Sequence, residues 1–435
     1  MKDIQALYKE KLTSAAELAS RVENGWLIGM DNAMSQPRDF VDAVSDRAAK
    51  SGLSGVWIQT MLDPYPYAFY EDDSLNGKVN GISWFSSAGS RKAVNGGYAD
   101  VMPGYYRDMP AHIRSSWDYD AVAISVSPMD RHGYFSLSCT SSYTEAMLDK
   151  TGRIFLEVNR QMPRAVRGTQ IHISRVDGIY EADRPLPVLP PAKLDETSTT
   201  IGGYIAELIP DGACIQLGIG AIPDAVGAAL KSKHDLGIHT EMFTDSMVEL
   251  INCGAVNNSR KQIHRYRSVT TFAYGSQRIY DYVDDNPAIE ILPVDYVNDP
   301  EVICRNDNMI SINAALEVDL WGQVCAESIG TKHVSGSGGQ VDYVRGACQS
   351  RGGKSFIAFP STAKGGTISK IAPILTPGAI VTTSKNDVDY IVTEFGVAHL
   401  RGQSLASRAK QLIAIAHPDF RDELTFEARK RGIML

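Results

Sequence analysis

The residues of this chain best suited to chemistry lie between Gln216 and Asp245. Glu241 follows an apolar run at 236–239 and stands beside His239 and Asp245 in HTEMFTD. Upstream, Gly218-Ile219-Gly220-Ala221-Ile222-Pro223 forms a glycine turn between the apolar run 214–217 and a helix expected over 224–233. Strand, glycine turn, helix and strand make a βαβ unit. Backbone N–H groups in such a first turn can face a phosphate or a thioester oxygen. The second strand delivers a carboxylate at a strand end, where ligands collect in α/β sheets. The turn has no Walker A lysine and no third glycine of a dinucleotide fingerprint. Its competing reading is a plain tight turn, and that of Glu241 is a solvated surface carboxylate.

Further candidates lie downstream. Gly336, Gly338 and Gly339 fall within four residues, just before Gln340, in VSGSGGQVDYVRGA. That glycine density suits a loop lying against a ligand or another backbone, or else a mobile surface turn. Asn313 closes an apolar run in SINAALEVD and offers an amide donor, although Asn more often caps turns. Lys364, in PSTAKGG, is a point charge suited to a phosphate, or an ordinary surface lysine. Glu394, in TEFGVAHLRG, is a second strand-end carboxylate and the internal rival of Glu241.

The remaining sequence must position these groups. A chain of 435 residues exceeds one ordinary core, so two domains of about 200 residues are expected. The first half suggests a helix over 1–25, strands at 26–29, 52–60, 120–127 and 152–159, and an extended piece at 98–102. It also suggests a loop at 65–70 and a helix over 142–149. Four prolines within seven residues mark 183–200 as an interdomain linker. A helix follows over 198–208. Later strands are expected at 269–273, 289–292, 310–313, 356–359, 380–383 and 390–394, with helices at 404–415 and 420–431. Strands alternating with helices indicate an α/β fold with mostly parallel sheets.

Composition excludes several classes. The content, 43% hydrophobic and 22% charged residues, is that of a soluble globular protein. A net charge of −8 without a Lys/Arg block argues against a nucleic-acid surface. No apolar run approaches the roughly 18 residues of a membrane span, and the first residues have no secretory pattern. Six scattered cysteines without a CxxC pair argue against disulfides or a zinc site and suit a reducing cytoplasm.

Taken in order, LGIGAIPDAV, GIHTEMFTD, SGSGGQVDYVRGA, PSTAKGG and TEFGVAHLRGQSL resemble the acetyl-CoA hydrolase/transferase family. SLSCTSSYTEAM and AIAHPDFRDEL extend the likeness over nearly the whole chain. The resemblance implies two α/β domains of the NagB/RpiA/CoA-transferase type with the active site at their interface. They would span 1–190 and 191–435, the second carrying the catalytic glutamate. It implies Glu241 as the nucleophile of a ping-pong exchange through a glutamyl-CoA thioester. Gly218, Ile219, Gly220, Ala221, Ile222, Asn313, Gly338, Gly339, Gln340 and Lys364 match the family's CoA-contacting segments, with Lys364 near the nucleotide phosphates. Coenzyme A and acetyl-CoA would then be substrates, with no tightly bound cofactor and no metal, in a homo-oligomeric protein. The implied acceptor is 4-hydroxybutyrate. However, GMDNAMSQP places Asp31 or Asn32 where the family has a histidine-bearing turn, which keeps butyrate and propionate open. Resolution by water would make the protein a hydrolase, and a CoA- or nucleotide-binding module without chemistry is the rival from another class.

Overall fold

The computed structural model describes residues 4–434. The chain divides into two compact units, 1–189 with 270–296, and 190–269 with 297–435. The proline-rich stretch contains the first break. The return of 270–296 to the first unit has no mark in the sequence.

In the first unit seven strands lie in the order 99–101, 79–83, 56–61, 27–32, 121–126, 154–159 and 178–182. Every neighbouring pair is parallel. Ala121–Val126 and Ile154–Asn159 are buried along their whole length, which is why they read as continuous apolar runs. Helix Arg38–Lys50 turns Phe40, Val41, Val44 and Ala48 inward at helical spacing. They join Ile28, Val56 and Ile58 in one core.

Of an eight-stranded sheet, the six strands wholly within the second unit run in the order 237–243, 214–217, 309–314, 354–358, 390–393 and 396–399. All neighbours among them are parallel except the terminal hairpin. Chain direction across the sheet reverses between Cys214–Leu217 and Met309–Ala314, the kind of switch point at which open α/β sheets bind ligands.

Several expectations need correction. The helix after the glycine turn covers Ala221–Ala229, three residues earlier than expected, and tightens into a 3-10 turn at Leu230–Ser232. The strand carrying Glu241 is Gly237–Phe243, so the glutamate lies inside the strand. The helix expected from 198 begins at Glu196, because Asp195 and Ser198 form a reciprocal cap. The helix expected over 1–25 is two pieces, Ile4–Lys11 and Ala15–Ser20, parted where Ser14 caps the second; its residues 1–3 lie outside those described. The loop expected at 65–70 gives way to a short helix, Ala68–Glu71, with Tyr67, Phe69 and Tyr70 buried. Ring stacking holds it, Phe69 lying 4.3 Å from Tyr70 and 5.6 Å from Tyr67. No strand forms at 380–383: Ile380 and Val381 are exposed, and the Thr382 and Thr383 N–H groups both go to the Val324 carbonyl. Strand Val79–Ser83 escaped notice because Gly81 and Asn80 interrupt it. A side chain at Gly81 would overlap the Tyr70 ring.

Candidate active site

Glu241 stands on Gly237–Phe243 beside the switch point. The Asn298 amide donates to its Oε2 at 2.7 Å. The Gly339 N–H donates to the same carboxylate. Gly339 also opens helix Gln340–Gln349, which has no side-chain cap, so the Glu241 carboxylate lies where a capping carboxylate would. Only glycine fits there: a Cβ on Gly339 would overlap Glu241 Oε2 and Asn298 Nδ2.

Burial pushes the Glu241 carboxyl up to about 7, against the smaller lowering effects of the Asn298 and Gly339 hydrogen bonds. The side chain nonetheless keeps a partly exposed edge. A poorly hydrated carboxylate that is ionised near neutrality suits attack on an acyl carbon. Should its own carbon become an acyl centre, the same two donors would face the developing oxyanion.

His239 lies two residues back on the same strand face, fully buried. Its Nε2–H donates to the Val297 carbonyl at 2.8 Å. Burial, followed by the charge of Lys261, lowers the imidazole to about 3, so the ring is neutral. The Tyr343 hydroxyl donates to the same carbonyl at 3.3 Å.

The glycine turn behaves as a helix start. Gly220 has φ of 116° and no side chain caps Ala221–Ala229, while Ile219 before it is exposed. Asn313 pairs with Gln216 across the switch point, its Nδ2 donating to Gln216 Oε1 at 3.2 Å. Gln340 uses both ends of its amide, donating to the Ala314 carbonyl at 2.8 Å and accepting from Thr383 at 3.0 Å. Gly338 takes a left-handed φ of 52° just before the helix. Lys364 lies apart from the Glu241 cluster on an exposed hairpin tip between Thr362–Ala363 and Ile368–Ser369, with a left-handed φ of 50°.

Glu394 has different company. Its oxygens accept the Ser361 N–H at 2.9 Å and the Ser361 hydroxyl at 2.6 Å. The Lys370 ammonium is near enough to feel its charge, whereas Arg401 donates to the Cys348 carbonyl.

The sequence did not single out Asn298, which reads as an ordinary turn residue in YVNDP. Of the buried polar set of the first unit, it pointed only to Asp31 and Asn32. There Asp31 accepts from Thr140 at 3.1 Å, the Asn32 N–H at 2.7 Å and the Thr144 hydroxyl. Asp63 accepts from Gln36 and Thr60, each at 3.1 Å. Burial raises both carboxyls to about 6. Among the described residues no helix is long and apolar enough to cross a membrane.

The fold defines the class, an α/β enzyme of CoA-transferase-like architecture. The chain belongs to the acetyl-CoA hydrolase/transferase family: the N-terminal domain of that family matches residues 1–190 and its C-terminal domain residues 275–428. Glu241 falls between the matched segments. Relatives of full length span it. Succinyl-CoA:cyclohexane-1-carboxylate CoA transferase of Geobacter metallireducens is 50% identical over 97% of this chain and 96% of its own. The 4-hydroxybutyrate coenzyme A transferase of Clostridium kluyveri is 44% identical over 98% and 99%. The crystal structure of RipA from Yersinia pestis has a TM-score of 0.94 at 41% identity, covering 99% of this chain and all of that one.

Proposed function

We propose that Glu241 is the nucleophile through which this CoA-transferase moves CoA from an acyl-CoA to a carboxylate. A Glu241 carboxylate oxygen attacks the acyl carbonyl, the C–S bond breaks, and a mixed anhydride and CoA thiolate result. The thiolate attacks the glutamyl carbon, releasing the first acid and leaving a glutamyl-CoA thioester. An incoming carboxylate attacks that thioester and displaces the thiolate, which then attacks the new acyl carbon and restores Glu241. Each exchange conserves the thioester, so the balance needs no ATP. The observation that carries this reading is the Glu241 carboxylate itself, held by two N–H donors and raised to about 7.

Around it, Gly218, Ile219, Gly220, Ala221, Ile222, Asn313, Gly338, Gly339 and Gln340 contact CoA, and Lys364 reaches its phosphates. Acetyl-CoA is the donor and a short acid the acceptor, with 4-hydroxybutyrate first and butyrate and propionate next. The Geobacter relative, named for succinyl-CoA and cyclohexane-1-carboxylate, adds a dicarboxylic donor and an alicyclic acid to the panel. Six free cysteines support a reducing, cytoplasmic setting. The protein acts as a homo-oligomer, which sedimentation would test.

Mass spectrometry after incubation with acetyl-CoA, with borohydride reduction of any thioester, tests the nucleophile. A CoA adduct or reduced mark on the peptide holding Glu241 is expected. A mark on Glu394 would overturn the assignment. Thiol release without an acceptor acid, at a rate matching exchange, would establish hydrolysis instead.

A further inference from the structure

The Glu241 carboxylate is held by Asn298, so something must hold Asn298. It sits between two single-turn helices, Val294–Val297 and Pro300–Ile303. Such short turns have little stability of their own. The Val297 carbonyl closes the first of them and has no partner within that turn. Two side-chain donors converge on it: His239 Nε2–H at 2.8 Å and the Tyr343 hydroxyl at 3.3 Å. One peptide plane contains the Val297 carbonyl and the N–Cα bond of Asn298. Pinning that oxygen therefore fixes the direction in which Asn298 leaves the backbone. The Asn298 amide then reaches Glu241 at 2.7 Å and Asp342 at 3.4 Å, spending its two N–H groups on two carboxylates.

We propose that His239 and Tyr343 are positioning residues that act through the Val297 carbonyl and the Asn298 amide to hold Glu241 for attack. The geometry excludes a proton-transfer role for His239. Its Nε2 is committed to a backbone oxygen, and the ring is fully buried, with Nδ1 unpartnered. Its function is to be a neutral donor of fixed direction. This inference rests on Glu241 being the nucleophile, which the adduct experiment tests separately.

A double-mutant cycle reads the linkage directly. His239→Phe removes the donor while keeping a ring. It should lower kcat roughly ten- to a hundredfold, the scale of a misplaced reacting group, with KM for acyl-CoA within about twofold. In an Asn298→Ala background the same change should cost almost nothing further, because the group it positions is gone. His239→Gln keeps an N–H donor at about the same distance from the backbone and should recover most of the rate. The acid limb of the pH–rate profile should move upward in His239→Phe, since a displaced Asn298 no longer favours the ionised carboxylate. The titratable groups around the Tyr343 hydroxyl are Glu241, Asp342 and Cys214, and Lys261 and His264 lie beside the imidazole. None of these is altered in His239→Phe, His239→Gln or Tyr343→Phe.

Tyr343→Phe deletes only a hydroxyl and runs the same cycle should His239→Phe fail to fold; its longer bond predicts a smaller loss. Full additivity with Asn298→Ala, or a rate loss with an unmoved acid limb and no recovery by Gln, would overturn the proposal. Wild-type protein that forms no Glu241 adduct would instead overturn the nucleophile beneath it.

Discussion

Glu241, on a parallel strand, and Glu394, in the turn of the terminal hairpin, are both glutamates of the second unit's large sheet, and their surroundings divide their roles. Glu394 accepts two hydrogen bonds from one residue, Ser361, which is itself fully buried. A carboxylate bonded to its neighbour's backbone and hydroxyl braces a loop. Glu241 accepts from Asn298, far away in sequence, and from Gly339 at the bare start of a helix. Its hydrogen bonds come from groups that fit an acyl oxygen as well as a carboxylate. The same residue type at one sheet thus becomes a brace or a reactive group according to which donors face it.

The largest expected effect separates the pair. Glu241→Gln should lower CoA exchange by more than about a thousandfold, as loss of a covalent nucleophile does, while Glu394→Gln keeps a measurable rate. The reverse ranking in steady-state assays would exchange their roles. Next, Gly339→Ala places a methyl against the Glu241 carboxylate and should reduce kcat about a hundredfold, the cost of losing an oriented donor. Wild-type kcat in that variant would show that the close approach has no part in the reaction.

The pH dependence follows from the raised carboxyl. The ionised form attacks, so kcat/KM should rise with pH through about 7 and level off above it. A profile flat between pH 5 and 9 would remove the desolvation argument. Stability runs the other way. The folded state holds the Glu241 proton more tightly than the unfolded chain does, so this group's contribution falls as pH rises from about 4.5 to about 7. Glu241→Gln should therefore melt higher than wild type at pH 8, with the difference closing below pH 5. Glu394→Gln should melt lower, by a few degrees for a buried serine left poorly bonded, at about 1–3 kcal/mol. Equal shifts in thermal melts would deny the contrast between reactive group and brace. Smallest of all, Lys364→Ala should raise KM for acyl-CoA a few-fold with kcat unchanged, since an exposed point charge contributes about 1 kcal/mol or less. Loss of kcat instead would move Lys364 to the reacting centre.

Much of this arrangement is written locally. Cys214–Leu217, the glycine turn, Ala221–Ala229 and the strand with Glu241 are contiguous, and each has its own signal in hydrophobic period or glycine content. The Gly338-Gly339 pair marks a close approach, and the structure shows what approaches. The aromatic run 65–70 misled because proline and tyrosine spacing says nothing about stacking partners. The apolar run 380–383 misled because its N–H groups go to the Ser328 hydroxyl and the Val324 carbonyl rather than to a sheet ladder.

The sequence by itself determined the α/β class, the family and the strand that bears Glu241, because these depend on patterns a few residues long. Tertiary structure alone decided which glutamate is held by two independent donors, that Asn298 is one of them, and that His239 and Tyr343 meet on Val297. Those contacts join positions 239, 241, 298, 339 and 343. Hydrogen bonds of 2.7–3.3 Å between such distant residues depend on how strands and helix starts pack, and no local propensity encodes that.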